Sequence, residues 1–144
     1  MVRVTINDIA RATGYSKTTV SFAFNDPTRI SKEAREKVLS AARDLGYVPD
    51  PVARSLSSRR HGTIGILLPQ PIPLALKNPY MVHLISRLGE VCNREGLSLT
   101  MLPPTRGNLL SSVKTAAVDG LVTIGLHPET EIVRVIKNRH IPFV

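Results

Sequence analysis

A short polar segment, residues 16–25 (SKTTVSFAFN), carries the side chains best suited to chemistry in this sequence. Hydroxyls and amides bond to phosphate oxygens or to base edges, a lysine reaches a phosphate or a guanine, and an apolar ring contacts a thymine methyl. The side chains concerned are Ser16, Lys17, Thr18, Thr19, Ser21, Phe22 and Asn25. This chemistry is typical of nucleic-acid recognition rather than of catalysis.

Two short helices joined at Gly14 must position this segment. The first, residues 5–13, begins with a threonine that has an aspartate three residues on, which is a relative of the capping box. Gly14 can take the left-handed conformation that ends a helix, and Ser16 is a good N-cap for a second helix to about Phe24. The pattern predicts a helix-turn-helix, whose second helix lies in the DNA major groove. The alternative is a helical bundle with a solvated polar face.

A third helix is expected over residues 31–46, where Ser31 is the N-cap and Gly46 the stop. Helical spacing places apolar residues of the second and third helices on inward faces. These residues are Val20, Ala23, Phe24, Ala34, Val38, Ala41, Ala42 and Leu45. Three short helices can therefore close one small core.

Residues 47–62 (YVPDPVARSLSSRRHG) have the composition of a linker that contains a short helix. Asp50 can cap this helix and Pro51 can occupy its first position, with Val52, Ala53 and Leu56 on one side. Two helical turns hardly recover the cost of nucleation in water. We therefore expect this helix to form only against a partner.

From Thr63 onwards, short apolar runs alternate with helical ones. The expected strands are 63–69, 97–103, 119–125 and one opening at 141, and the expected helices are 79–96, 109–118 and 129–140. This alternation predicts a parallel sheet covered on both faces. In the helix over 79–96, the residues expected to face inward are Met81, Leu84, Ile85, Leu88, Val91 and Cys92. The sequence stops as a strand begins, so we expect a truncated chain.

Composition and charge agree with a folded, DNA-binding protein. The 144 residues are 42% hydrophobic and 21% charged, with a net charge of +8. Residues 1–61 carry eleven Lys and Arg against six Asp and Glu, and the rest carries eight against five. A basic surface favours a polyanionic partner. With no membrane span or signal peptide expected and a single cysteine, we expect a cytoplasmic protein.

The stretches TINDIARATGYSKTTVSFAFND and ISKEAREKVLSAARDLGYVPDPVARSLSSRR, followed by TIGILLP, resemble the N-terminal half of LacI/GalR family transcription regulators. The most specific parts are the TxxDIAxxxGxSxxTVS opening and the YxPxxxARSL segment. The resemblance implies a dimeric helix-turn-helix DNA-binding domain (1–48), a hinge helix and linker (49–61), and a partial effector-binding domain (62–144). The last is expected to have the α/β fold of a periplasmic-binding-protein N-subdomain.

The resemblance also implies which residues touch DNA. The family's contacts fall on Thr5, Ser16, Lys17, Thr18, Ser21, Phe22 and Asn25, with phosphate contacts near Arg29 and Ser31. Members often place Arg or His where this chain has Phe22, which is a departure. In the family, the leucine of ARSL opens a base step from the minor groove, and this role falls on Leu56 with Ala53 beside it. The alternative for Leu56 is a linker leucine that touches its own domain.

The α/β half points to a ligand rather than to a reaction. Its histidines lack metal-ligand spacing, and no nucleotide-binding or nucleophile motif is visible, so we expect no enzyme, cofactor or metal. Asn78, Pro79 and Tyr80 resemble an Asn-Pro-aromatic element that lines a sugar or nucleobase pocket in the family. The alternative is a helix start at which Tyr80 packs locally.

The resulting expectation is a sequence-specific transcription regulator, a repressor, that binds a palindromic double-stranded DNA operator as a homodimer. A small metabolite, a sugar, is expected to control it, and no membrane is involved. The alternative is a ligand-binding module whose helical head mediates protein association.

Overall fold

The computed structural model describes residues 3–58 and 60–144. Internal contacts divide the chain into two compact units: a helical unit, Met1–Arg59, and an α/β unit, Arg60–Val144. Arg59, which belongs to the predicted linker, lies outside the described residues. The predicted fold class, a helix-turn-helix head plus a parallel α/β sheet, is confirmed.

The helical unit begins with three α-helices and a 3-10 turn. Helix α1 spans Ile6–Thr13, α2 spans Lys17–Asn25, the 3-10 turn spans Pro27–Arg29 and α3 spans Lys32–Asp44. Gly14 ends α1 with a φ of 74°. Ser16 and Ser31 cap the next two α-helices: each side-chain oxygen accepts from a backbone N–H 3.1 Å away. The predicted starts of α2 and α3 and the predicted end of α1 hold because local capping determines them, whereas α3 ends at Asp44, before the predicted stop at Gly46.

Buried residues from all three helices form the core of this unit: Ile9, Val20, Ala23, Val38 and Ala42. The Phe24 and Tyr47 rings pack beside it, with centroids 5.4 Å apart. Leu45 was predicted to face inward, but it is 42% exposed. The reason is that α3 ends at Asp44, so Leu45 is the C-cap and leaves the inward stripe.

Helix α4, Pro51–Ser58, completes the helical unit. Oδ1 of Asp50 accepts from the N–H of Val52 at 2.9 Å, and its Oδ2 lies 3.1 Å from the guanidinium of Arg3. The structure contains the predicted helix with its predicted cap, and its ordering only against a partner stays a prediction. The Asp50 cap and its ion pair supply part of the stabilisation that two turns lack.

The α/β unit is built on a parallel sheet of three strands in the order β2-β1-β3. Its elements are β1 Thr63–Leu67, α5 Ile72–Ala75, α6 Pro79–Arg94, β2 Ser98–Leu102, α7 Leu109–Thr115, β3 Gly120–Thr123 and α8 Glu131–Asn138. Residues 141–144 continue the sheet beside β3: the N–H of Leu121 donates to the carbonyl of Pro142 at 2.9 Å. The short helix α5 was not predicted, because four residues carry no readable helical period.

Helices cover both faces of the sheet. Successive residues of β1 alternate between the faces, so Ile66 packs with Met81 of α6 and Leu67 packs with Val113 of α7. Val91 of α6 was predicted to face inward, but it is 46% exposed. Cys92, its neighbour in the sequence, was also predicted to face inward and is buried. Across the described parts of the chain, no helix has the length and apolar character needed to cross a membrane.

Candidate nucleic-acid interface

The first turn of α2 presents its polar side chains outward. Ser16, Lys17 and Thr18 are exposed, while Val20 on the opposite face is fully buried. Thr19 is half-buried, and its hydroxyl lies 2.9 Å from that of Ser16. Core packing therefore fixes the rotation of α2 and turns three of the predicted contact residues towards solvent.

One helical turn further along, Ser21 and Asn25 come together. Nδ2 of Asn25 donates to Oγ of Ser21 at 3.2 Å, as residues four apart on a helix can. The bond orients the Asn25 amide and leaves its oxygen as an acceptor. The structure thus places six of the predicted contact residues on α2 and its cap: Ser16, Lys17, Thr18, Ser21, Phe22 and Asn25.

Thr5 lies at the N-cap of α1, where its polar groups are already engaged. Oδ2 of Asp8 accepts from the Thr5 hydroxyl at 2.7 Å and from the Thr5 N–H at 2.9 Å. These bonds, together with the neighbouring Arg11, hold the pKa of Asp8 below its ordinary value. Thr5 remains exposed, and its hydroxyl keeps acceptor capacity for a second partner.

The end of α2 holds an arrangement that sequence reasoning missed. The half-buried Phe22 ring lies under the guanidinium of Arg29, whose Cζ is 5.1 Å from the ring centroid. Nε of Arg29 also lies 3.0 Å from Oδ2 of Asp26. Ser31, the other residue predicted near this point, is the N-cap of α3. The spacing of positions 22, 26 and 29 only weakly indicated that these side chains meet, because it is the 3-10 turn that brings Arg29 back over the helix.

An open depression of about 640 Å³ lies beside the start of α2. Its lining residues are Asn7, Ala10, Arg11, Gly14, Tyr15, Ser16 and Lys17. Asn7 and Arg11 were not predicted as site residues. Both are exposed on α1, and their positions beside Ser16 and Lys17 follow from the packing of α1 on α2.

The predicted minor-groove residues lie on α4. Leu56 is 77% exposed and Val52 is 67% exposed, although both are large and apolar. Ala53 is exposed too, and it lines a small cleft of about 60 Å³ within the helical unit, together with Asn25 and Asp50. The unit therefore leaves the apolar side of this helix open, contrary to the alternative in which Leu56 packs on its own domain.

In the α/β unit, Asn78 and Tyr80 lie at the start of α6. Oδ1 of Asn78 accepts from the Tyr80 N–H at 3.0 Å, so Asn78 is the N-cap of this helix. Tyr80 is 65% exposed and does not pack into the core. A depression of about 460 Å³ elsewhere in this unit, lined in part by Thr100, Ser112 and Thr115, includes neither residue. Over residues 3–58 and 60–144, no three His, Cys, Asp or Glu side chains group as metal ligands would.

Comparison with known proteins finds similar transcription regulators for the helical unit and for the chain as a whole. Residues 5–50 match the model for "Bacterial regulatory proteins, lacI family". An HTH-type transcriptional regulator of Mycolicibacterium smegmatis is 34% identical over 149 residues, which cover 99% of this chain and 40% of that protein. The HTH-type transcriptional repressor PurR of Histophilus somni is 34% identical over 125 residues, covering 83% of this chain and 36% of PurR.

A solved structure has the same fold. The crystal structure of the lac repressor dimer bound to operator and the anti-inducer ONPF matches 99% of this chain with a TM-score of 0.72 and 23% sequence identity, over 44% of the repressor chain. At this identity the likeness shows the fold alone. The chain thus spans well under half the length of the proteins to which it is similar.

Proposed function

Because the chain belongs to the lacI family of bacterial regulatory proteins, we propose that it is a sequence-specific DNA-binding transcription regulator. The exposed face of α2 is its reading surface. The observation that carries this proposal is the orientation of α2: Val20 is buried, which holds Lys17 and Thr18 outward on a rigid helix. A helix that presents hydroxyls and one lysine in its first turn suits the major groove.

Each contact residue has a role that fits its position. Lys17 and Thr18 reach base edges or phosphates from the first turn of α2, and Asn25 bonds to an adenine or a phosphate. Thr5 and Ser31 lie at helix N-termini, where N–H groups and the helix dipole attract phosphate oxygens. Phosphate contacts fix the register, while base contacts supply the sequence preference.

We further propose that the protein binds a palindromic operator as a homodimer. The support is helix α4, on which Leu56 is 77% exposed and Val52 is 67% exposed. Two copies of this helix, paired about a dyad, would bury their apolar sides against each other and insert Leu56 into a base step from the minor groove. Ala53 lies beside the wedge and permits close approach.

The sign of regulation and the effector are also proposals. We propose a repressor because PurR, a relative with 34% identity, is named as one. The proposed effector is a small metabolite, a sugar, near Asn78 and Tyr80. Asn78 keeps its Nδ2 donors, and the exposed Tyr80 ring offers a stacking face. A regulator of this kind works in the cytoplasm, bound to the nucleoid.

Selection of duplexes from a random pool, followed by affinity measurement against salt, tests this function. We expect a palindromic consensus and a fall in affinity of about 10³-fold or more between 50 and 200 mM salt if six or more phosphates are contacted. The alternative, a head that mediates protein association through apolar contacts, predicts no enrichment and little salt dependence. Failure to retain any duplex at low ionic strength would contradict the proposed function.

A further inference from the structure

The side chain of Arg29 is restrained from two directions at the end of α2. Its Nε lies 3.0 Å from Oδ2 of Asp26, and its Cζ lies 5.1 Å from the Phe22 ring centroid. The side chain is nevertheless 64% exposed. An unrestrained arginine of this exposure would sample many rotamers, and these two contacts reduce that freedom. Arg29 is therefore an oriented cation at the surface.

Hydrogen bonds also hold Asp26 in place. The Thr28 hydroxyl donates to Oδ1 of Asp26 at 2.6 Å, which leaves Oδ2 for Arg29. The N–H of Asp26 donates to the carbonyl of Phe22 at 3.0 Å and closes the last turn of α2. Pro27 then begins the 3-10 turn, in which the N–H of Arg29 donates to the carbonyl of Asp26 at 3.2 Å. This turn brings Arg29 back over the helix and above Phe22.

We propose that Phe22, Asp26, Thr28 and Arg29 form one base-reading unit, in which Arg29 reads a guanine in the major groove and the other three residues hold it in place. This proposal rests on the proposed function. A guanidinium has five N–H donors, and Asp26 pairs with Arg29 through Nε, 3.0 Å from its Oδ2. The two terminal nitrogens of this exposed side chain form a planar fork of donors. That fork matches the O6 and N7 acceptors of guanine.

The presence of Asp26 favours base reading over a plain phosphate contact. A carboxylate beside the DNA backbone repels phosphates, so an arginine that only neutralises a phosphate gains nothing from it. For a bidentate contact, by contrast, orientation supplies specificity as well as energy. Phe22 fits the same role, because its ring face attracts the guanidinium and is too apolar to bond to a base itself. The unit thus accounts for a phenylalanine on the reading face.

The first test compares Arg29→Lys and Arg29→Ala with the unsubstituted chain on its selected duplex and on single-base variants of it. We expect both substitutions to abolish discrimination at one G·C pair in each half-site, by on the order of 10- to 100-fold, while preferences at other positions remain. Lysine keeps the charge but cannot form the planar fork. Lys37→Ala is the matched control, because it removes one charge and a second cation–π contact, with Tyr15. It should leave the base preferences unchanged.

Asp26→Asn and Phe22→Leu test the supporting residues. We expect each to weaken the preference at that same G·C pair by about 2- to 5-fold. Asp26→Asn should also bind non-specific duplexes at least as tightly as the unsubstituted chain, because a negative charge has gone. Thermal unfolding checks that Phe22→Leu, which alters a half-buried position, remains folded. Asp26 is partly exposed, so Asp26→Asn keeps the test decisive if Phe22→Leu fails to fold.

Two results would overturn the base-reading unit without affecting the proposed function. One is that Arg29→Ala weakens binding to every duplex equally, lowers the salt slope by about one, and is rescued by Arg29→Lys, which is the behaviour of a phosphate contact. The other is an unchanged G·C preference in Asp26→Asn. If the unsubstituted chain selects no duplex at all, the proposed function fails first, and the two failures are therefore distinguishable.

Discussion

Replacing Asp119 should release the start of the α/β unit from its sheet. Asp119 immediately precedes β3, and its two carboxylate oxygens accept from the N–H groups of His61 and Gly62, each at 2.7 Å. These residues lie just before β1 in the sequence and 57 or 58 positions from Asp119. One side chain therefore ties the end of the linker to the strand beside it.

The magnitude follows from the two bonds. A hydrogen bond to a charged group contributes about 1.5–3 kcal/mol, but water partly replaces it at this half-buried site, so we expect Asp119→Ala to cost roughly 2–4 kcal/mol. Asp119→Asn keeps one acceptor oxygen and presents an amide to the other N–H, so most of the loss should remain. Glu129→Ala removes an exposed carboxylate from the same unit and is the control, with an expected change within about 0.5 kcal/mol.

The pH dependence has a definite sign. Burial raises the pKa of Asp119, but the N–H donors of His61, Gly62 and Thr63 and the charge of His61 outweigh it, so the pKa lies below its ordinary value of 3.8. A carboxyl with a lowered pKa in the folded state stabilises the fold above its unfolded pKa. That stabilisation is lost as the pH falls through the folded value. The Asp119→Ala penalty should therefore be full at pH 7 and shrink below about pH 4.

Urea unfolding followed by circular dichroism at pH 7 and pH 3 gives the free energies of unfolding. Native-state hydrogen exchange at the amides of His61 and Gly62 reports the two bonds directly. Equal unfolding free energies for Asp119→Ala and Glu129→Ala at pH 7, or exchange at these amides that is unaffected by the substitution, would refute the reasoning.

Three further outcomes are expected. Lys17→Ala and Thr18→Ala should each weaken specific duplex binding by roughly 1–3 kcal/mol in a fluorescence anisotropy titration, and unchanged affinity in both would contradict the role of α2. Leu56→Ala should lower operator affinity by roughly tenfold or more, as expected for an apolar wedge, with the thermal unfolding of the helical unit unchanged because Leu56 is 77% exposed. Gly65→Ala would place a Cβ 2.7 Å from Cδ2 of Leu121, so calorimetry should show a loss of about 1–3 kcal/mol from overpacking. A variant as stable as the unsubstituted chain would mean that the Leu121 side chain moves aside at no cost.

Much of the fold could be predicted because its determinants are local. A serine before a segment of helical apolar spacing is a good N-cap, and Ser16 and Ser31 cap α2 and α3 in this way. Gly14 ends α1 because glycine tolerates a positive φ. The parallel sheet followed from apolar runs alternating with helical ones. The prediction was wrong at Leu45, because periodicity was extended past the end of α3 at Asp44. It was also wrong at Val91, which is 46% exposed within α6.

The candidate site could be predicted only in part, because contact geometry is not periodic. The orientation of α2 followed from buried Val20, so the exposure of Lys17 and Thr18 was readable in the sequence. The pairing of Arg29 with Phe22 depends on the 3-10 turn that ends at Arg29, and six intervening residues permit many other placements of the guanidinium. Sequence spacing therefore predicts which side chains are neighbours within a helix. It does not predict which side chain lies opposite another across a turn.

The exposure of α4 links its stability to its proposed use. Val52 and Leu56 are 67% and 77% exposed, so most of the free energy available from burying them is not gained in the single chain. Fully burying a valine or leucine contributes about 1.5–3 kcal/mol, and a pair of helices about a dyad would bury two of each. That gain offsets part of the conformational entropy lost when two short helices become ordered, and the Asp50 cap offsets a further part. The exposed Val52 and Leu56 side chains contribute little to the stability of α4 in one chain. Their burial on dimer and operator binding would therefore couple the folding of α4 to that binding.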